Sequence, residues 1–247
     1  KAICQALAVK GAKVCVVDVN ATAGDTFAAE LQISHGEETI VFVQADVSSQ
    51  EQLEGAFDKA KSKLGRIDVV VNNAGFLDEK NWRACVNINL VGMISGTMLA
   101  VNHMGKEHGG NGGVIINIAS KAGLVPGPCW FIPTYAATKA AIIAHTMSWS
   151  ANPRCKQEGF RFNVVCPTVV DTPFTQRMNQ DLVIGLTEEH FARNKSREKM
   201  KPSRVADVVL ELIEDDNKNG AIIHLDTDKV EQLEYPKCVV PSFNFQF

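Results

Sequence analysis

Hydrophobic positions along the chain follow two patterns that alternate. Short, nearly continuous apolar runs are typical of strands buried on both faces of a parallel sheet. They occupy residues 13–19, 40–44, 67–71, 114–118, 160–166 and 221–225. Stretches with apolar residues at helical spacing separate them, at residues 1–10, 21–33, 51–64, 80–105, 134–151 and 204–214. This alternation predicts an α/β fold, with one doubly wound, Rossmann-like parallel sheet in a single domain over residues 1–247.

Capping and turn residues indicate where several helices begin and end. Ser48 and Glu51 stand at capping-box spacing before the third helix, and Gly65 follows its end. Ser203 is predicted to cap the last helix. Residues 168–201 are polar and poorly periodic, which is typical of a mobile lid over a substrate, and no period is visible after residue 225.

Composition excludes several classes of function. A net charge of -3 gives no general attraction to nucleic acid. We find no apolar run of membrane-spanning length and no signal sequence at the start, and we expect a cytoplasmic protein without membrane insertion. The seven cysteines include no CxxC pair and the six histidines form no cluster, so we predict reduced thiols and no metal site.

Polar residues follow the predicted strands at the edge where a parallel sheet binds ligands. Asp18, next to Val19, can accept hydrogen bonds from an adenosine ribose and would repel the extra phosphate of NADP, which favours NAD. Asp46, between Ala45 and Val47, can bind the adenine amine. Either acid could equally cap the helix that follows it.

Tyr135 and Lys139 lie four residues apart in a predicted helix, so both point to one face. An ammonium close to a phenol favours the phenolate, and the tyrosine pKa is expected to fall toward working pH. Such a tyrosine could act as a general base on an alcohol. The same spacing also arises where the two side chains simply pack together.

In their order along the chain, these residues resemble the short-chain dehydrogenases/reductases. The matching motifs are Asn72-Asn73-Ala74-Gly75, Asn89 within VNINLVG, Ser120, Tyr135, Lys139 and residues 167–172. The resemblance implies that Tyr135 is the base, that Lys139 holds the nicotinamide ribose, and that Ser120 holds the substrate oxygen. It further implies that Asn89 positions a proton-relay water. Other expected cofactor contacts are Asn73, Ala74, Gly75, Val170, Asp171 and Thr172.

Residues 81–82, 89–97, 109–118 and 212–220 are similar to the branch of that family that oxidises 15-hydroxyprostaglandins with NAD. This similarity implies a secondary lipid alcohol as substrate, and a homodimer that pairs through the helices at 80–105 and 134–151. The loop before Tyr135 carries an apolar insertion, and Ile132 replaces a glutamine that contacts substrate in that branch. A hydroxysteroid or another lipid alcohol is therefore an alternative substrate.

The sequence departs from the family in one major respect. It lacks the glycine-rich loop TGxxxGxG, which cradles the cofactor pyrophosphate on backbone N–H groups, and the strand before it. We expect the strands on either side to lose a ladder partner, and the chain as given to bind NAD weakly. The departure suggests a truncated or incomplete gene product. The alternative from another class is a non-catalytic remnant that folds or dimerises without binding NAD.

Overall fold

A computed structural model describes residues 1–125, 127–187, 189 and 198–235. Within them, seven strands form two sheets. The strands are β1 (Val14–Asp18), β2 (Ile40–Gln44), β3 (Val69–Asn72), β4 (Gly113–Ile118), β5 (Phe160–Pro167), β6 (Ile222–Leu225) and β7 (Val230–Leu233).

The helices lie between the strands in the predicted alternation. They are α1 (Ala2–Val9), α2 (Ala21–His35), α3 (Gln50–Leu64), α4 (Trp82–Val86), α5 (Gly92–Met104), α6 (Lys121–Leu124), α7 (Pro133–Ser150), α8 (Pro153–Glu158), α9 (Pro173–Gln176) and α10 (Pro202–Glu214). Short 3-10 turns occupy Glu37–Thr39, Lys106–His108, Gly127–Cys129 and Gln180–Leu182.

The sheet is interrupted between β1 and β3. β1 pairs only with β2, in parallel, while the second sheet has the order β3-β4-β5-β6-β7. Among the described residues no strand pairs with the outer edge of β1 or of β3, as expected for a sheet without its first strand. One consequence is visible in β3. Its valines, Val69–Val71, remain partly exposed although an apolar run of this kind is usually buried on both faces.

Helices on both faces hold the two sheets side by side. On one face, α1 contacts β1 and packs along α10, and its Ile3 joins the core cluster that contains Val71 of β3. On the other face, α3 contacts both strands of the small sheet and also packs against α5, which covers β3. Apolar side chains on these helices therefore form the core that connects the sheets.

Two predicted helix caps are wrong by one or two residues. Ser49, not Ser48, caps α3, because its side chain accepts the backbone N–H of Gln52. Helix α10 begins at Pro202, so Ser203 lies inside the first turn rather than before it. Proline suits this first position because its fixed φ is helical and no N–H partner is needed there.

Strand β7 has no counterpart in the sequence prediction. It pairs antiparallel with β6 and forms the last edge of the larger sheet. Its four residues alternate between exposed and partly buried positions, and such a short stretch carries too little apolar signal to be found by periodicity.

The predicted helix at 80–105 is one continuous element with an internal irregularity. A π-helical turn, Asn87–Val91, joins α4 to α5. Contrary to the sequence prediction, the segment Trp82–Met104 is long and apolar enough to cross a membrane by length and composition. Half of its most apolar stretch is buried, and α5 packs on α3, β3 and β4.

Candidate active site

The predicted ligand residues lie where parallel strands end at one edge. Asp18 ends β1, Asn73 follows β3, Ser120 follows β4, and Thr168 follows β5. Because β3, β4 and β5 are mutually parallel, the last three positions lie side by side. Helix α7 then brings Tyr135 and Lys139 to the same edge, through a hydrogen bond from Lys139 Nζ to the carbonyl oxygen of Ile118 at the end of β4 (2.8 Å).

The tyrosine and the lysine are both buried on the inner face of α7. Tyr135 is 9% exposed and Lys139 3%, and Lys139 Nζ lies 5.6 Å from the centre of the tyrosine ring. Short helix α6 packs directly on α7 at this level. A Cβ atom on Gly123 would come within 2.5 Å of the Lys139 carbonyl carbon, so only glycine allows this approach.

Ser120 connects the end of β4 to the tyrosine. Its backbone is extended, and its side chain caps α6 by accepting the N–H of Ala122 at 3.2 Å. The same hydroxyl also interacts with the phenol of Tyr135 and lowers the pKa of that phenol. Serine, tyrosine and lysine therefore form one cluster, held by the β4 end and by two packed helices.

Burial governs the protonation of this cluster. Burial raises the pKa of the Tyr135 phenol well above its usual value, and the interaction with Ser120 opposes that rise only in part. Burial also lowers the pKa of Lys139 from 10.5 to about 8. The expectation that Lys139 lowers the tyrosine pKa is therefore wrong for this state. Loss of hydration is the largest cause of both shifts.

Asn89 lies in the π-helical turn and is fully buried. Its side-chain oxygen accepts the N–H of Phe76 at 2.7 Å, and its amide donates to the Phe76 carbonyl (2.9 Å) and to Thr138 Oγ1 (3.2 Å). The side chain thus clamps the loop after β3 to the helix that carries Tyr135. Space remains beside Gly75, where a Cβ atom would lie 3.8 Å from both Asn89 Oδ1 and Lys139 Nζ.

Neither predicted nucleotide-binding acid caps a helix. Asp18 is exposed and accepts the N–H of Asn20, and Asn20 itself caps α2. Asp46 accepts the N–H and the hydroxyl of Ser48, while Ser49 caps α3. The capping alternative is therefore wrong for both. Their neighbours differ in exposure, since Val19 is exposed, Ala45 buried and Val47 partly buried.

The two ends of the predicted lid, residues 168–201, are hydrogen-bonded to each other. Val170 forms an isolated bridge with Met200, and the N–H of Asp171 donates to the Met200 carbonyl at 2.8 Å. Thr172 is the N-cap residue of α9, and Asp171 is exposed. The predicted lid at 168–201 lies partly outside the described residues, and its described portion contains α9 and the 3-10 turn Gln180–Leu182.

A cavity of about 310 Å³ opens beside this cluster. The ring of Phe174 in its wall lies 6.0 Å from the ring of Tyr135. Ile132, predicted as a substrate contact, is buried in an apolar cluster with Tyr135 and Val183 and does not line this cavity. The lining residues are Gly75, Phe76, Leu77, Asp78, Phe174, Arg177, Met178 and Leu182.

A comparison with protein families supports the relationship that these residues suggest. Residues 1–183 match the family described as short chain dehydrogenase. The chain belongs to the short chain dehydrogenase family.

Two mammalian relatives of this short chain dehydrogenase carry the same description. The 15-hydroxyprostaglandin dehydrogenase [NAD(+)] of Mus musculus is 41% identical over 93% of the chain and 86% of the relative. The enzyme of that description from Homo sapiens is 39% identical over 93% and 87%. A 3-oxoacyl-[acyl-carrier-protein] reductase of Thermotoga maritima is 31% identical over 73% of each chain.

Sequence reasoning missed several residues of the site. Part of the cavity wall is formed by α9 and by the 3-10 turn Gln180–Leu182, which lie in a segment without hydrophobic periodicity. Phe174, Arg177 and Leu182 therefore carried no recognisable sequence signal. Glu79, a buried acid two residues after the apolar Leu77, was also missed. No group of three His, Cys, Asp or Glu side chains that could hold a metal occurs in the part of the chain described by the structure.

Proposed function

We propose that this short chain dehydrogenase oxidises a secondary lipid alcohol, of the 15-hydroxyprostaglandin kind, with NAD. The observation that carries the proposal is the buried cluster of Ser120, Tyr135 and Lys139 beside an apolar cavity. The names of the mammalian relatives support the substrate class and the cofactor. The family membership supports the reaction type.

We propose that the residues present bind the adenosine and nicotinamide ends of a dinucleotide along the ligand edge of the two sheets. The carboxylate of Asp18 is exposed at the end of β1 and accepts one backbone N–H, that of Asn20, among the described residues, so it can also accept ribose hydroxyls. Asn73, Ala74 and Gly75 are exposed and leave room beside Lys139 Nζ. In our proposal Val19 and the segment 45–47 contact the adenosine, and residues 170–172 contact the nicotinamide carboxamide.

The protein contributes proton transfer and orientation. Ser120 Oγ donates a hydrogen bond to the substrate oxygen, and Tyr135 Oη takes the proton of the hydroxyl as that oxygen becomes a carbonyl. Tyr135 must be a phenolate to accept that proton, and burial raises the pKa of the phenol and so opposes that form in this structure. Asn89 holds the Phe76 loop and α7 together, and we propose that it also positions a water for proton relay. When held by these residues, the nicotinamide ring of NAD would supply the acceptor for the hydride that leaves the carbinol carbon.

The lining of the cavity suits an acyl chain with one charged end. Phe76, Leu77, Phe174 and Met178 supply apolar surface for a hydrocarbon chain. Arg177 lines the same cavity and can pair with a carboxylate. Asp78 also lines it, and Oδ1 of Asp78 accepts the N–H groups of Lys80 and Asn81. A hydroxy fatty acid therefore matches this wall better than an uncharged steroid alcohol.

The product of the native gene tests the proposal. It is incubated with NAD and a 15-hydroxyprostaglandin, a hydroxysteroid or a short secondary alcohol, and formation of NADH is followed by absorbance. We expect the hydroxyprostaglandin to have the highest kcat/KM. Faster oxidation of the steroid would move the substrate class to that alternative. NAD binding without turnover of any alcohol, or no NAD binding at all, would favour a non-catalytic role.

We further propose that the protein is a cytoplasmic homodimer. Large apolar side chains are exposed along the α4–α5 element, namely Trp82, Val91 and Met98. Burial of these side chains against a second copy would remove them from water. Light scattering of the purified chain and of Val91→Glu tests this interface, since a charge there should shift the mass toward the monomer.

A further inference from the structure

Helix α7 begins without a cap from its own neighbourhood. Its N-cap position is Ile132, which has no polar side-chain atom, and its first residue is Pro133, which has no N–H. The first backbone donors of the helix are therefore the N–H groups of Thr134 and Tyr135. These N–H groups have no acceptor within the helix and need one from elsewhere. One of them belongs to Tyr135, the proposed base.

Glu79 supplies an acceptor to each of them from a distant part of the chain. Its Oε2 accepts the N–H of Thr134 at 3.0 Å and its Oε1 accepts the N–H of Tyr135 at 2.9 Å. The side chain is buried, with 7% of the residue exposed. A carboxylate at this place also interacts favourably with the positive end of the helix dipole.

The main chain of Glu79 is tied to the cavity wall. Its N–H donates to the carbonyl oxygen of Leu182 at 3.0 Å, and Leu182 lines the cavity. The next residue, Lys80, forms an ion pair with Asp181 at 3.2 Å. One residue therefore joins the wall of the cavity to the helix end that carries Tyr135.

We propose that Glu79 is a positioning residue for the reaction. Its carboxylate caps the N-terminus of α7 and fixes the position of the first helical turn. That position places the phenol of Tyr135 next to Ser120 and the cavity. The inference rests on the proposed function for its catalytic meaning. The capping itself can be measured without any turnover.

Amide hydrogen exchange, resolved by NMR at Thr134 and Tyr135, tests the capping. In Glu79→Ala both amides should lose protection by about tenfold or more, the size expected for a lost charge-assisted hydrogen bond. Glu79→Gln keeps one acceptor oxygen, so a smaller loss is expected. Unchanged protection at both amides in Glu79→Ala would overturn the proposal.

Glu158 offers a matched control at the opposite edge of the sheet. It is also buried, and its Oε2 accepts the N–H groups of Lys106 and Glu107 at 2.6 and 3.3 Å. Glu158→Ala and Glu158→Gln should loosen those two amides and leave Thr134 and Tyr135 protected. Equal loss at Tyr135 in both sets of variants would mean that the effect is global destabilisation.

Kinetics on the native gene product test the catalytic consequence. Glu79→Gln should lower kcat by roughly tenfold to a hundredfold, as a misplaced catalytic group does, with little change in KM. Glu158→Gln should leave kcat unchanged. A rise in KM alone, or equal losses in both variants, would overturn the positioning role. If the unmodified protein oxidises no alcohol, the proposed function fails, and the exchange experiment still decides whether Glu79 holds α7.

Discussion

The buried ammonium of Lys139 should make the wild-type protein less stable than a variant that lacks it. Replacing Lys139 by Met keeps an unbranched apolar stem and removes the charge. Below pH 8 the folded protein carries a buried charge whose hydration is lost, and the variant avoids that cost. We therefore expect Lys139→Met to be more stable than wild type near pH 7 while losing its activity.

The lowered pKa of Lys139 gives the size of the expected difference in the free energy of unfolding. A fall from 10.5 to about 8 corresponds to a cost of roughly 3 kcal/mol while the lysine is charged in both states. The variant also leaves the Ile118 carbonyl without its donor, which costs about 1–2 kcal/mol. The net gain near pH 7 is then about 1–2 kcal/mol.

The sign of the pH dependence follows from proton binding. Between pH 8 and 10.5 the unfolded chain keeps the lysine proton that the folded chain has lost, so wild-type stability contributed by this group rises with pH. The advantage of Lys139→Met should shrink through this window. Near its upper end the variant should be the less stable protein.

Urea unfolding under reducing conditions, at pH 7 and pH 10, measures the difference in the free energy of unfolding. Titration of the thiols is shared by both proteins and largely cancels in that difference. Lys156→Met, at an exposed position in α8, is the control and should show a difference that does not vary with pH. A variant that is destabilised at pH 7, or a difference that is constant with pH, would refute the reasoning.

Three further predictions concern activity and are measured by steady-state kinetics on the native gene product. Tyr135→Phe should lower kcat by about a hundredfold or more while NAD still binds, and retained turnover would remove Tyr135 as the base. Asp18→Ala should lower the preference for NAD over NADP by about tenfold, because a charged acceptor of ribose hydroxyls is lost; an unchanged ratio would contradict the role of Asp18. Arg177→Ala should raise KM for a hydroxy fatty acid by roughly threefold, the size typical of an exposed ion pair. It should not do so for the methyl ester of that acid, and equal effects on both would exclude pairing with the carboxylate.

The elements and the ligand edge of this fold could be predicted because their signals are local. Apolar runs mark the strands, helical spacing marks the helices between them, and polar residues such as Asp18 and Ser120 follow strand ends directly. Parallel pairing then places those ends together. The edge strand β7 and the cavity wall formed by α9 were not predicted, because the conformation of short or aperiodic segments is determined by their tertiary contacts.

The sequence by itself determined the alternation of strand and helix and the position of Tyr135 and Lys139 on one face of a helix. Each of these depends only on residue types and their spacing. The tertiary structure alone decided the protonation of that pair, since burial rather than proximity governs both pKa values. It also decided that α7 is capped by Glu79, because that contact joins residues 55 positions apart, and no spacing rule connects them.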